Sequence, residues 1–303
     1  MVFYLHYMTL PMSNPATARV ITRFGADVLI ADSGTIIRCT PKRKLEHIAC
    51  GDYVTWENHA QGNATVTAIL PRTNLLTRPD FRGKTKNIAA NIDLVIIVVS
   101  WRPSPSWEML DRYLVAIELL PAQALIVMNK ADLAAEYASK EDLVRLAEYE
   151  AVGYPILYTQ AQEGVGIDTL RKAIGGKTAI VVGQSGVGKS SLAAQLLPEQ
   201  EIRVGEIADT GEGRHTTTNA MLYTLAEHGF LIDSPGVRDF SLSSVTREQL
   251  QQGYREFQPY QSQCRFNNCT HQHEPQCAVK AAFSAQQLPP YRYGRYLNLL
   301  ASL

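Results

Sequence analysis

This sequence has little of what would place a protein in a membrane or outside a cell. Its longest strongly apolar run, Leu94 to Ser100, is far too short to cross a bilayer. The opening stretch, Met1 to Leu10, is mildly apolar, but it lacks a basic start and His6 interrupts it, so no secretory signal is expected. Cysteine is scarce: there are 5, an odd number, and three of them crowd into residues 264–277. That usage favours a reducing, cytoplasmic setting and a metal site over a disulfide framework. Low-complexity tracts and long blocks of like charge are missing too, which argues against disorder. The 303 residues, 46% hydrophobic and 19% charged, suffice for two or three compact domains.

Net charge is absent as well, with 29 Lys/Arg against 29 Asp/Glu, but the balance is uneven along the chain. Residues 15–90 and 245–303 together hold 17 basic against 9 acidic side chains, and residues 91–244 hold 12 against 20. Basic flanks around an acidic centre point to contact with a polyanion such as RNA. The candidates are Lys42, Arg43 and Lys44 in one loop, then Arg78, Arg82, Lys84 and Lys86, and finally Arg292 and Arg295. Tyr291, Tyr293 and Tyr296 could stack on bases, although helix packing accounts for them more simply.

Residues 16–75 read as five short β segments, Ala18–Arg23, Asp27–Ala31, Thr35–Thr40, Tyr53–Glu57 and Ala64–Leu70, separated by glycine-containing breaks. Five strands in this span suit a small barrel; the OB type leads, and an SH3-like barrel would give much the same pattern. From residue 91 short β-branched runs (Leu94–Val99, Ala124–Met128, Ile156–Tyr158, Thr178–Val182, Phe230–Ile232) alternate with amphipathic stretches at Trp107–Leu120, Lys140–Glu150 and Lys189–Leu197. That alternation predicts a mostly parallel sheet covered on both faces. Residues 245–303 look helical, with a cysteine-rich loop inserted. The expected division is therefore 1–75, a flexible start plus barrel; 76–244, an α/β nucleotide-binding domain; and 245–303, a helical metal-binding domain.

Gly183-Gln184-Ser185-Gly186-Val187-Gly188-Lys189-Ser190 fits G-x-x-x-x-G-K-[ST] directly between a strand and a helix, the context that this phosphate loop requires. Its backbone N–H groups would cradle phosphate at the helix N-terminus, followed by Ser191. Lys189 would reach the β- and γ-phosphates, and Ser190 would ligate Mg²⁺. The base is indicated by Asn129-Lys130-Ala131-Asp132 after a buried strand. The Asp132 carboxylate can accept from both N1–H and the 2-amino group of guanine, a donor pair that adenine lacks. Asn129 would orient the loop and touch the base, and the Lys130 stem would cover its face. Asp233-Ser234-Pro235-Gly236 fits D-x-x-G, with Asp233 holding Mg²⁺ through water and the Gly236 N–H sensing the γ-phosphate. One of Thr216, Thr217 and Thr218 could close on that metal and phosphate. A backbone N–H to guanine O6 is expected from Thr159-Gln160-Ala161.

Val237 follows D-x-x-G where many small GTPases place a water-orienting glutamine, so unassisted hydrolysis is expected to be slow. His215, beside the threonines, is the candidate to position water in its place. Cys264-x4-Cys269-x-His271-x5-Cys277 supplies a closed Cys₃His zinc set, with His273 a rival for His271. Cys39 and Cys50 read as core residues.

The nucleotide motifs resemble those of TRAFAC-type GTPases in rotated order, since the guanine motif at 129–132 precedes the phosphate loop, the threonines and D-x-x-G. Joined to Gly213-Arg214-His215-Thr216-Thr217-Thr218, to Asp233–Arg238 and to the cysteine knuckle, this order resembles the ribosome small subunit-dependent GTPase A family over residues 16–300. That resemblance implies an N-terminal OB fold, a circularly permuted GTPase, a late role in maturing the small ribosomal subunit, contact with its rRNA, bound zinc and a monomer. Two other readings of the residues remain at this point. One is an RNA-binding assembly factor that uses guanine nucleotide as a structural ligand. The other is an ATP-dependent P-loop enzyme, which would have no use for Asn129 and Asp132.

Overall fold

The computed structural model describes residues 16–45, 47–59, 64–79, 85–197, 220–233 and 245–303. Strands β1 (Ala16–Phe24), β2 (Asp27–Asp32), β3 (Thr35–Pro41), β4 (Tyr53–Asn58) and β5 (Ala64–Ile69) close into a barrel in the order β1-β2-β3-β5-β4. Every neighbouring pair is antiparallel except β3 with β5. This closed order is that of an OB-like barrel. Alternate residues point inward, so Val28 and Ile30 of β2 meet Val20, Cys39, Val54 and Val66 in a core of its own. Cys50 is also buried, but it joins the core of the neighbouring sheet and donates to the Ile21 carbonyl.

A two-stranded antiparallel ribbon follows, β6 (Leu75–Pro79) with β7 (Thr85–Ala90). Two asparagines fasten it at its base. Asn74 exchanges hydrogen bonds with the backbone of Ile92, at 2.7 and 2.9 Å, and Asn91 donates to the Gly51 carbonyl at 3.0 Å.

The larger sheet contains β8 (Leu94–Ser100), β9 (Gln123–Asn129), β10 (Ile156–Thr159), β11 (Thr178–Gly183), β12 (Met221–Thr224) and β13 (Phe230–Asp233), ordered β10-β9-β8-β11-β13-β12. All pairs are parallel except the edge strand β12. The helices between are α1 (Trp107–Glu118), α2 (Ala134–Tyr137), α3 (Lys140–Ala151), α4 (Ile167–Ile174) and α5 (Lys189–Leu196). Strand β8 is buried throughout and serves both faces of the sheet. Val95, Ile97 and Val99 share a core with α1 and α3, while Leu94, Ile96 and Val98 share one with α4 and α5. Ser106 caps α1, and Ser139 with Asp142 forms a capping box on α3.

Parallel register brings Ser100, Asn129, Thr159, Gly183 and Asp233 to one edge of the sheet. The connections run outward in opposite directions from β8 and β11, and ligands of open α/β sheets bind at such a reversal.

The C-terminal part contains α6 (Arg247–Gln252), α7 (Gln258–Gln261), α8 (Ala278–Ser284) and α9 (Pro290–Ala301). Its core, which includes Leu250, Tyr254, Phe257, Val279 and Tyr296, extends onto Val115 of α1.

Candidate nucleotide and metal sites

The loop Gly183–Gly188 leaves β11 at the sheet reversal and turns into α5. Lys189 Nζ donates to the carbonyls of Gly183 at 2.8 Å and Gln184 at 2.6 Å. The ammonium is thus held over the loop's own backbone, where phosphate oxygens can replace those carbonyls. Ser185, Gly186, Ser190 and Ser191 are exposed at the opening, and Val187 is a buried anchor. Gly188 has φ +98° at the start of α5, and a Cβ there would overlap the side-chain amide of Asn129. Glycine is therefore required both for the turn and for the approach of the second motif.

Asn129 is 1% exposed and ties three loops together. Its Nδ2 donates to the Val187 carbonyl at 2.9 Å, and its Oδ1 accepts from Thr159 Oγ1 and from Ala161 N, both at 3.1 Å. Lys130, in a left-handed conformation, donates through Nζ to the carbonyls of Gly186 at 2.8 Å and Arg102 at 2.7 Å. Asp132 lies exposed on a single 3₁₀ turn, Ala131–Leu133, just beyond β9. Motifs 129–132 and 183–190 are thus one structure, fused through Asn129 and Lys130. Thr159 and Ala161 join the same cluster, but the Ala161 N–H is taken by Asn129 and the Gln160 N–H by the Val165 carbonyl. Neither is free for guanine O6 in this arrangement. The carbonyl of Arg102 has no motif to announce it, and the sequence reading did not find it.

Asp233 ends β13 on the same edge and is exposed. His215, Thr216, Thr217, Thr218 and Gly236 lie outside the described residues, as do Arg82 and Lys84.

The second cluster is Cys264, Cys269, His271 and Cys277, whose ligand atoms all lie within 4.8 Å of one another. Cys264 Sγ is 3.7 Å from His271 Nδ1 and 3.9 Å from Cys277 Sγ, and His271 Nδ1 is 3.4 Å from Cys277 Sγ. A tetrahedral ion with bonds of about 2.0–2.3 Å separates its ligands by roughly 3.5 Å, so the four residues fit and could hold a metal ion. Burial keeps His271 below its ordinary pKa and so neutral, the form that coordinates; burial pushes the Cys269 thiol up to about 12 when no metal is bound. His273 is exposed and outside the cluster. Glu274 organises the loop by accepting from the Thr270 hydroxyl and from the N–H groups of Thr270, Gln272 and His273. Tyr293 and Tyr296 donate to the carbonyls of His271 and Thr270, each at 2.7 Å. These two tyrosines are buried braces of the metal loop, as the helix-packing reading expected.

Arg292 and Arg295 require correction as RNA contacts. Arg292 is fully buried, paired with Asp111 of α1 and with Glu256, and stacked over Tyr254 at 4.4 Å. Arg295 pairs with Asp111 and Glu108. Both fasten α9 to α1. The available signal was Asp111, a carboxylate among the buried positions Trp107, Leu110 and Leu114 of an amphipathic helix. Lys42, Arg43, Lys44 and Lys86 are exposed, and Arg78 is half-buried.

Comparison with known proteins agrees with this geometry. The family model described as RsgA GTPase matches residues 69–243. A "Small ribosomal subunit biogenesis GTPase RsgA" of Pseudomonas aeruginosa is 41% identical over 289 residues, 95% of this chain and 85% of the relative. A "Small ribosomal subunit biogenesis GTPase RsgA 1" of Vibrio vulnificus is 43% identical over 291 residues, 94% of this chain and 83% of the relative. Among solved structures, YjeQ from Thermotoga maritima superposes with TM-score 0.77 at 30% identity, covering 96% of this chain and 99% of that one. YloQ, described as a circularly permuted GTPase, gives TM-score 0.77 at 25% identity, covering 98% and 97%.

Proposed function

The chain belongs to the RsgA GTPase family and is a GTPase, and from that premise we propose that it acts on the small ribosomal subunit during its late maturation, in the cytoplasm, as a monomer touching rRNA. Its parts are taken as a barrel up to residue 75, the permuted GTPase at 76–244 and a zinc-binding module at 245–303. What supports the nucleotide reading most is the bond from Asn129 to the phosphate-loop carbonyl of Val187, because guanine and phosphate loops built as one unit suit a single guanine nucleotide. In this reading Asp132 selects guanine, and Gly183–Gly188 with Lys189 hold the phosphates. Ser190, and Asp233 through water, would hold Mg²⁺, which would supply charge neutralisation for the phosphates. Thr216, Thr217 or Thr218 closes on the γ-phosphate, and His215 positions water, since Val237 has no group to do so. Cys264, Cys269, His271 and Cys277 hold zinc as a structural ion. Exposed Lys42, Arg43, Lys44 and Lys86 face rRNA, which makes binding fall steeply with salt.

The test is GTP hydrolysis by the purified protein with and without isolated small subunits, with ATP as control. Stimulation by the subunits that is specific to GTP is expected. Equal turnover with and without them would refute the partner, and full stimulated turnover in His215→Ala would refute the role given to His215.

A further inference from the structure

The barrel and the larger sheet meet along β1, β12 and β13, and a cleft of about 540 Å³ lies between them. Its lining is largely apolar and aromatic, with Ile21, Ile36, Tyr53, Met221 and Phe230. Set into this lining is Arg19, only 7% exposed. One of its terminal nitrogens donates to Thr178 Oγ1 at 2.5 Å. Its guanidinium carbon stands 4.3 Å from the ring centre of Phe230 and 5.0 Å from that of Tyr53. The buried Nε has no acceptor among the described residues.

The same chain shows how it buries an arginine for structural ends. Arg292 is enclosed with two carboxylates, Asp111 and Glu256, which outweigh its burial and hold its pKa well above the ordinary value. Arg19 makes no ion pair with any described residue, and burial lowers its pKa. The acid that faces it, Asp93, acts through space and spends one carboxylate oxygen on the Thr178 N–H at 2.8 Å. A buried cation without an ion-pair partner is costly even where a hydroxyl and two rings contact it, and a ligand anion offsets that cost.

We propose that this cleft binds a small, flat, apolar carboxylate, with its charge on Arg19 and its body among Ile36, Tyr53 and Met221. The volume falls within the range of about 300–1,000 Å³ typical of small-molecule sites. A single guanidinium among rings suits a monoanion with an aromatic body, whereas a phosphate would need several converging donors. The site is separate from the nucleotide loops and does not depend on the function proposed above.

The experiment titrates the full-length protein with 2-naphthoate and with its uncharged counterpart 2-naphthamide, followed by calorimetry and thermal melting. Naphthoate is expected to bind saturably, to raise Tm and to exceed the amide in affinity by about tenfold or more, the worth of a charge-assisted hydrogen bond. In Arg19→Met, which removes an unpaired buried charge at similar volume, that preference disappears while the melting temperature holds or rises. Ile36→Glu adds a like charge at the rim, where Ile36 is 44% exposed, and removes an apolar contact common to both ligands, so it is expected to weaken naphthoate more than the amide and to narrow the carboxylate preference. GDP affinity reports whether each variant is folded. If Arg19→Met does not fold, Ile36→Glu decides. Absence of naphthoate binding, equal affinity for the amide, or a carboxylate preference that survives Arg19→Met or is untouched by Ile36→Glu would overturn the proposal.

Discussion

Asn129 and Asp132 sit three residues apart in one motif, yet the structure gives them different consequences when altered. Asn129 is buried and serves three loops, so Asn129→Ala strands the Val187 carbonyl and the Ala161 N–H. Each stranded group costs about 1–3 kcal/mol, so both Tm and nucleotide affinity should fall. Asp132 is exposed, and Asp132→Asn should leave stability within about 0.5 kcal/mol of the parent. Its effect should fall on GDP binding, weakened by about tenfold to a hundredfold through the lost charged acceptor. Paired melting curves and GDP titrations of the two variants separate these outcomes. Gly188→Ala should behave like Asn129→Ala from the opposite side of the same contact: it forces a side chain into a left-handed position against the Asn129 amide. A loss of GDP affinity on the order of a hundredfold is expected.

The metal loop makes its own case one level up. Cys277 is at once a metal-site thiol and the cap of α8, accepting from the Lys280 N–H at 3.4 Å. Metal removal by a chelator is therefore expected to reduce helicity and loosen the tyrosine braces while GDP binding persists, readable by circular dichroism and titration. Glu274 adds a pH signature. Burial alone would raise its pKa, but the hydroxyl and N–H groups it accepts from hold it at about 2 against an ordinary 4.5. A depressed carboxyl stabilises the fold above its unfolded value and loses that effect as pH falls through the folded one. Glu274→Gln should thus lower Tm above about pH 4.5, with the gap to the parent closing as pH falls toward 2. The elements that sequence made legible are those with a strong period or a motif at their end: the five barrel strands, β8, β9, β11 and the metal spacing. The ribbon β6–β7 was not legible, because Thr85-Lys86-Asn87 is polar and, among the described residues of the ribbon, the buried ones are Leu76, Ile88, Ala89 and Ala90, two of them alanines. Short α4 and β12, at 8 and 4 residues, have no motif at either end, whereas the equally short α5 and β13 adjoin the phosphate loop and D-x-x-G. Arg292 misled because a cation near the end of a chain reads as surface until its acids, 36 and 181 residues earlier, are brought to it.

Across the whole molecule those acids join two bodies of chain. Arg292 bonds Asp111 of α1, which also receives the Tyr149 hydroxyl at 2.9 Å, and the N–H groups of Tyr291 and Arg292 both donate to Glu148 of α3. The metal-bearing module is thus fastened to the two helices covering one face of the sheet. Arg292→Ala leaves Glu256 buried without its cation and Asp111 with Arg295 alone, and is expected to cost about 3–5 kcal/mol, measured by denaturant unfolding. Sheet order carries a different consequence, for the chain as it is made. Synthesis delivers β8, β9 and β10, with Asn129 and Asp132 at their ends, before any of the phosphate loop exists. The acceptor of the Asn129 amide arrives 58 residues later. A nascent chain released at Gly176 is therefore expected to protect the amides of β8 and β9 yet retain no GDP in a filter assay. Competence to capture nucleotide comes late in translation, when β11 slots in beside a half-sheet that is already waiting.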